Sequence, residues 1–98
     1  MEKLIDISQL KKGIEFHTIK GDVIHNYKYL CVHPDNEDYI LAEDEWSKNI
    51  EKMYIKDLCD ITYYEIYVGP YDATFFINRL IQYHETAIKT LEHYISDN

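Results

Sequence analysis

Cysteine, proline and glycine are all scarce in this 98-residue chain, at two, two and three residues, and there is one tryptophan. Two cysteines, Cys31 and Cys59, are too few for a disulfide framework and fit free thiols in a reducing compartment. Few glycines and prolines and no low-complexity run argue against a disordered or linker-rich chain. No stretch approaches the roughly 18 apolar residues of a membrane span. Met1-Glu2-Lys3-Leu4 is charged and lacks an apolar h-region, so no secretory signal is expected and the reading is a cytoplasmic protein. Basic residues are outnumbered, 10 against 18 acids, for a formal net charge of −8. That balance opposes a phosphate backbone, so direct nucleic-acid binding is not expected.

Chemistry-bearing motifs are missing as well. There is no Gly-rich phosphate loop, and the serines (Ser8, Ser47, Ser96) stand in no nucleophile setting. Cys31 and His33 alternate on one strand, and His17 and His25 could neighbour them, but sequence-local zinc pairs are absent. The acids around Asp35 lack the spacing of a Ca²⁺ loop. No cofactor or metal is expected, and the sequence argues against an enzyme.

What is present is concentrated in the last quarter. Residues 72–96 read as one amphipathic helix without an internal Gly or Pro. Asp72 is placed to cap it, with Tyr71 and Phe76 at the spacing of a hydrophobic staple. At 100° per residue, Phe76, Ile77, Leu80, Ile81, Tyr83, His84, Ala87, Ile88, Leu91, Tyr94 and Ile95 fall within roughly 160°. The other side carries Asn78, Arg79, Gln82, Glu85, Thr86, Lys89, Glu92 and His93. One stripe (Ile77, Ile81, His84, Ile88, Leu91, Ile95) steps in heptads. A helix of about 36 Å outreaches a strand of ~17–20 Å, so part of it is expected to overhang the body. Self-association is expected through Phe76, Leu80, Tyr83, His84, Ala87, Leu91 and Tyr94. His84, central on the apolar face, is read first as a core residue satisfied by one hydrogen bond. If it met its twin at a symmetric contact, an unperturbed pKa near 6.5 would make association pH-sensitive.

The acidity is uneven. Asp35, Glu37, Asp38, Glu43, Asp44 and Glu45 put six acids into eleven residues. They flank a short buried strand, Tyr39-Ile40-Leu41-Ala42, so they fall in the turns at its ends, with Trp46 closing the second. Solvated loops are one reading. The other is a surface that steers a basic partner, with Trp46 as anchor. Ten tyrosines are a second bias. On the last strand Tyr63, Glu65 and Tyr67 share one face, expected to be exposed and available as a contact patch.

Residues 4–68 read as a β-rich body and 72–96 as its C-terminal helix, together one domain. Strands are expected at Ile14–Ile19, Val23–His33 (bent, because its alternation is imperfect), Tyr39–Ala42, Ile50–Ile55 and Ile61–Val68, after a short opening run at Leu4–Ile7. The fold class is α+β: a small antiparallel five-stranded sheet or barrel followed by one long amphipathic helix. Leu10-Lys11-Lys12-Gly13 before the first long strand and Met53-Tyr54-Ile55-Lys56-Asp57-Leu58 before the last give an element order that resembles an SH3-like small barrel over Leu10–Val68. The aromatic motif with which signalling SH3 domains grip proline-rich peptides is absent, so the resemblance implies the fold and not peptide binding.

The expected role is a small, acidic, non-catalytic binding protein acting as a homo-oligomer. The excess of Lys over Arg, with abundant Ile and Tyr, resembles proteins of AT-rich bacterial or phage genomes, where such a protein could act as a stoichiometric inhibitor on a basic surface of a host protein. The alternative is an oligomeric receptor or sponge for a small ligand such as a nucleotide, held between subunits by Arg79, Tyr83 and His84.

Overall fold

A computed structural model describes residues 2–59 and 65–96. Six strands form one open antiparallel sheet, β1 (Glu2–Lys3), β2 (Glu15–Lys20), β3 (Val23–Val32), β4 (Tyr39–Asp44), β5 (Ile50–Tyr54) and β6 (Glu65–Val68). A short helix α1 (Ile55–Leu58) precedes β6, and a long helix α2 (Ala73–Ser96) follows it. The spatial order is β1-β6-β2-β3-β4-β5. The fold is α+β, with the C-terminal helix where its periodicity placed it. The sheet has six strands rather than five. The extra strand comes from Glu2 and Lys3, which pair with Val68 and Tyr67 of β6. The expected opening run at Leu4–Ile7 is not a strand. Leu4 donates its N–H to the Ile66 carbonyl at 2.8 Å and buries its side chain. Asp6 then caps a single 3-10 turn, Ile7–Gln9, with Gln9 completing a capping box. Ile61–Tyr64, the first half of the expected last strand, lie outside the described residues.

Alternation explains the inner face. Phe16, Tyr27, Tyr29, Ile40, Ala42, Ile66 and Val68 point to one side and are closed over by Leu4, Leu10 and Leu58 in a single core cluster. The register of β3 against β4 shifts between Tyr29 and Cys31, the irregularity that the broken alternation of β3 implied. Between β2 and β3, Lys20 pairs with Val23 across a two-residue turn. Gly21 takes φ 62°, the left-handed geometry that such a turn requires. The central strand β2 is buried on both faces. Phe16 and Thr18 face the core while His17 and Ile19 face the other way, and all four are buried.

That second face of β2 seats α2. The Asp72 carboxylate accepts from the Phe75 N–H at 3.1 Å, and the Tyr71 ring stacks on Phe76 at 5.3 Å between centroids. The cap and staple expected from sequence are both formed. Phe76 is 1% exposed, with His17 and Tyr67 edge-on to its ring. Beyond this seat the helix runs off the sheet, giving the molecule extents of 55 × 25 × 24 Å.

Phe76 and Leu91 differ in consequence for this reason. Removing a buried Phe side chain costs about 3–5 kcal/mol, so Phe76→Ala should lower unfolding free energy by that order in urea titrations. Leu91→Ala, on the overhang, should change it by less than about 0.5 kcal/mol in dilute solution.

Candidate functional site

Two features of α2 can carry function, and both follow from how Phe76 is seated. On the sheet side, α2 and the β2–β3 turn enclose an open cleft of about 480 Å³ lined by Ile19, Gly21, Glu65, Arg79, Gln82, Tyr83 and Thr86. Arg79 and Tyr83, singled out as ligand residues, therefore do meet in one cavity. His84 does not line it. The Tyr83 hydroxyl closes over Gly21, where a built Cβ would come within 3.3 Å of it.

The electrostatics of the cleft are set by a four-residue network, Glu65, Tyr67, Arg79 and Gln82. The Arg79 guanidinium pairs with the Glu65 carboxylate and also donates to the Gln82 side-chain oxygen at 3.0 Å. The Tyr67 hydroxyl donates to the other Glu65 oxygen at 2.8 Å. Partial burial pushes Glu65 upward, but the hydrogen bonds from Tyr67 and Arg79 and the Arg79 charge outweigh it and hold the carboxyl below its ordinary value. Burial, then the bond to Glu65, raises the Tyr67 phenol. A ligand phosphate here would have to compete with Glu65 for the only arginine. An uncharged ring with donor and acceptor edges suits the cleft better.

This network corrects two expectations. Glu65 and Tyr67 are not an exposed contact patch. Both are half-buried beneath α2, where the Tyr67 ring meets Phe75 at 4.7 Å. Tyr63 lies outside the described residues. The side of α2 read as solvent-facing (Arg79, Gln82, Thr86) faces the cleft, because Phe76 and Arg79 find partners on β2 and β6. Phe76 leaves the set of associating residues, being buried in its own chain.

The opposite side of α2 is the second feature. Ile77, Ile81, Ile88, Leu91 and Ile95 are 55%, 49%, 55%, 62% and 74% exposed. The heptad stripe thus points away from the body. Tyr94 is exposed as well, and Leu80 and Ala87 are half-buried beside this stripe, whereas Tyr83 turns to the cleft side and so leaves the set of associating residues with Phe76. His84 is exposed, against its expected place as a satisfied core residue. His17 occupies that role instead. It is 1% exposed, with Nε2 2.9 Å from the Gly69 carbonyl and Nδ1 2.7 Å from the Asn26 side-chain oxygen. A carbonyl oxygen can only accept, so Nε2 is the donor to Gly69.

The six acids split between the two ends of β4. Asp35, Glu37 and Asp38 are exposed in the β3–β4 turn. At the other end each acid has local work. Glu43 lies opposite Lys28 in the ladder, and Glu45 reaches Lys48 at 4.0 Å. Asp44 accepts from the Trp46 and Ser47 N–H groups at 2.8 and 2.9 Å. Those bonds from Ser47 and Trp46 lower the Asp44 pKa. Lys48, at φ 64°, completes the turn. Trp46 stands at its tip, 94% exposed, above an open cavity of about 430 Å³ lined also by Ile24, His25, Asn26 and Ser47. Among the described residues no group of His, Cys, Asp or Glu gathers as a metal site, and no helix is long and apolar enough to cross a membrane.

The depressed Glu65 sets a pH dependence. Its stabilising charge is fully present above the ordinary carboxylate value of 4.5 and is lost as pH falls through the lower folded value. Urea unfolding followed by Tyr fluorescence should show stability falling as pH drops below about 4.5. Glu65→Gln should flatten that profile and cost about 1 kcal/mol at pH 7, since the pair is about a third exposed.

The chain was compared with protein-family models, with curated proteins and with solved structures, and none matches it.

Proposed function

We propose that this protein is a non-catalytic interaction protein that works as a homo-oligomer, joined through the outward face of α2 and presenting Trp46 and the acidic ends of β4 to a basic protein surface. The observation that carries this reading is the row of five aliphatic side chains, each about half or more exposed, on one side of one helix. Scattered exposed apolar residues are ordinary, but a contiguous stripe marks an interaction surface. Heptad spacing is the pattern by which helices cover one another. Burying the remaining half of each side chain yields about 1 kcal/mol, so five on each of two copies give roughly 10 kcal/mol. The loss of rigid-body freedom costs about 4–15 kcal/mol, so the assembly is concentration-dependent.

The strand order supports the SH3-like reading of the body. β2 to β5 run as a meander, α1 makes the short helical turn, and β6 returns to pair with β2. Such a body holds its loops at the sheet ends, where Trp46 and the exposed acids sit. A stoichiometric inhibitor of the phage type, occupying a basic site on a host protein, fits that display.

Light scattering should give multiples of 11.8 kDa at high micromolar concentration. Ile81→Glu with Ile88→Glu should return the chain to monomer with its circular dichroism retained. A wild-type monomer across that range overturns the reading.

A second reading rests on the cleft between α2 and the β2–β3 turn. A cavity of about 480 Å³ holding Arg79, Tyr83, Gln82 and Glu65 is within the size range of small-ligand sites. A melting-temperature rise with a nucleobase or nucleoside, lost in Tyr83→Ala, supports a sequestering role. A rise only with phosphorylated ligands contradicts the chemistry of Glu65.

A further inference from the structure

We infer that the occupant of the outward face of α2 is the same face of a second copy, running antiparallel, with the two helices crossing near Ala87. This rests on the self-association proposed above and adds its geometry. The outward stripe is centred roughly 130° around the helix from the body-facing residues Phe76, Arg79 and Tyr83. A second helix can therefore lie along it with both bodies on the outside.

The direction follows from the flanks of the stripe. In heptad terms Ile81, Ile88 and Ile95 take one seam position, and Ile77, His84 and Leu91 the other. One flank carries Leu80, Ala87 and Tyr94, and the other carries Asn78, Glu85 and Glu92. In a parallel pair each apolar flank faces the partner's acidic flank, setting Leu80 against Glu85 and Ala87 against Glu92. In an antiparallel pair like meets like. Leu80 then faces Tyr94, and Ala87 meets its twin, leaving the polar flanks together in water. The seam closes on itself by the same two-fold operation, the signature of an isologous contact. Ile77 meets Ile95, Ile81 meets Leu91, and His84 packs on Ile88.

Charge points to a second copy as the occupant. With Arg79 held by Glu65 on the cleft side, α2 sets only Lys89 against Glu85 and Glu92 elsewhere on its surface, a formal −1 in a chain of −8. It is the element along which two such acidic chains approach with least repulsion. Glu85 opposite its twin is the one like-charge contact, eased by Lys89 one turn on.

The test uses the full chain with Cys31→Ser and Cys59→Ser, its fold checked by circular dichroism, and carries a spin label on Asn78→Cys. Antiparallel pairing sets the two labels about 21 Å apart along the axis, fourteen residues at 1.5 Å each. Parallel pairing brings them to the same level. In oxidation mixtures, Asn78→Cys and Glu92→Cys chains should cross-link to each other and not to themselves. Glu85→Gln should tighten the dimer about twofold by relieving the like-charge contact. A dimeric mass with labels at one level and self-cross-linking overturns the antiparallel geometry while leaving self-association standing. A trimer does the same. A monomeric mass at high micromolar concentration overturns both.

Discussion

The seating of Phe76 on the outer face of β2 and β6 governs the rest of the molecule. Its ring is enclosed by His17, Tyr67 and Tyr71. His17 in turn reaches the Gly69 carbonyl, which ties the turn before the helix to the strand beneath it. A helix is stiff, so one anchored turn fixes the facing of all 24 residues. Rotating α2 by a single residue, 100°, would carry part of the heptad stripe toward the sheet. Arg79, one turn along, fixes the rotation a second time through Glu65. The exposed row of isoleucines is thus a consequence of where Phe76 sits.

Much of this was legible in the residues. The helix start was written in Asp72, Tyr71 and Phe76, because cap and staple depend only on local spacing. The bend of β3 was legible for the same reason. What could not be read was which element covers which face. His84 has apolar neighbours at helical spacing and His17 has β-strand neighbours, yet the strand histidine is buried and the helix histidine is not. Periodicity reports that a face is apolar and says nothing of what lies opposite. The sign available for His17 was its strand. Phe16, His17, Thr18 and Ile19 form a run without a charged residue, which is how a strand covered on both faces reads. The polar side of α2 misled for a related reason. Arg79 and Gln82 line a cleft because Glu65, fourteen or more residues away in sequence, neutralises the arginine.

The acidic stretch divides in the same manner between local work and display. Asp44 builds a turn, Glu43 sits across from a lysine in the ladder, and Glu45 approaches Lys48. Asp35, Glu37 and Asp38 remain exposed at the far end of β4. Six acids that are contiguous in sequence are therefore not one patch in space. A partner engaging Trp46 meets a carboxylate-supported turn rather than a block of uncompensated charge. In the proposed role the aromatic side chain would be the source of affinity, with the acids steering approach.

The core cluster and α2 lie on opposite faces of one sheet. Leu4, Leu10 and Leu58 close the inner face without help from the long helix. The outer face needs only the first turns of α2 to cover β2 and β6. The residues past Thr86 therefore add little to folding of the body, and their helical order rests on propagation from the docked turns. A free helical end of about ten residues is marginal in water by itself. Ile88, Leu91 and Ile95 along that end are exposed, and the proposed self-association would cover them. Under the proposed self-association, folding and assembly would fall to different surfaces, and a change at Ile88 or Leu91 would act on the second without disturbing the first.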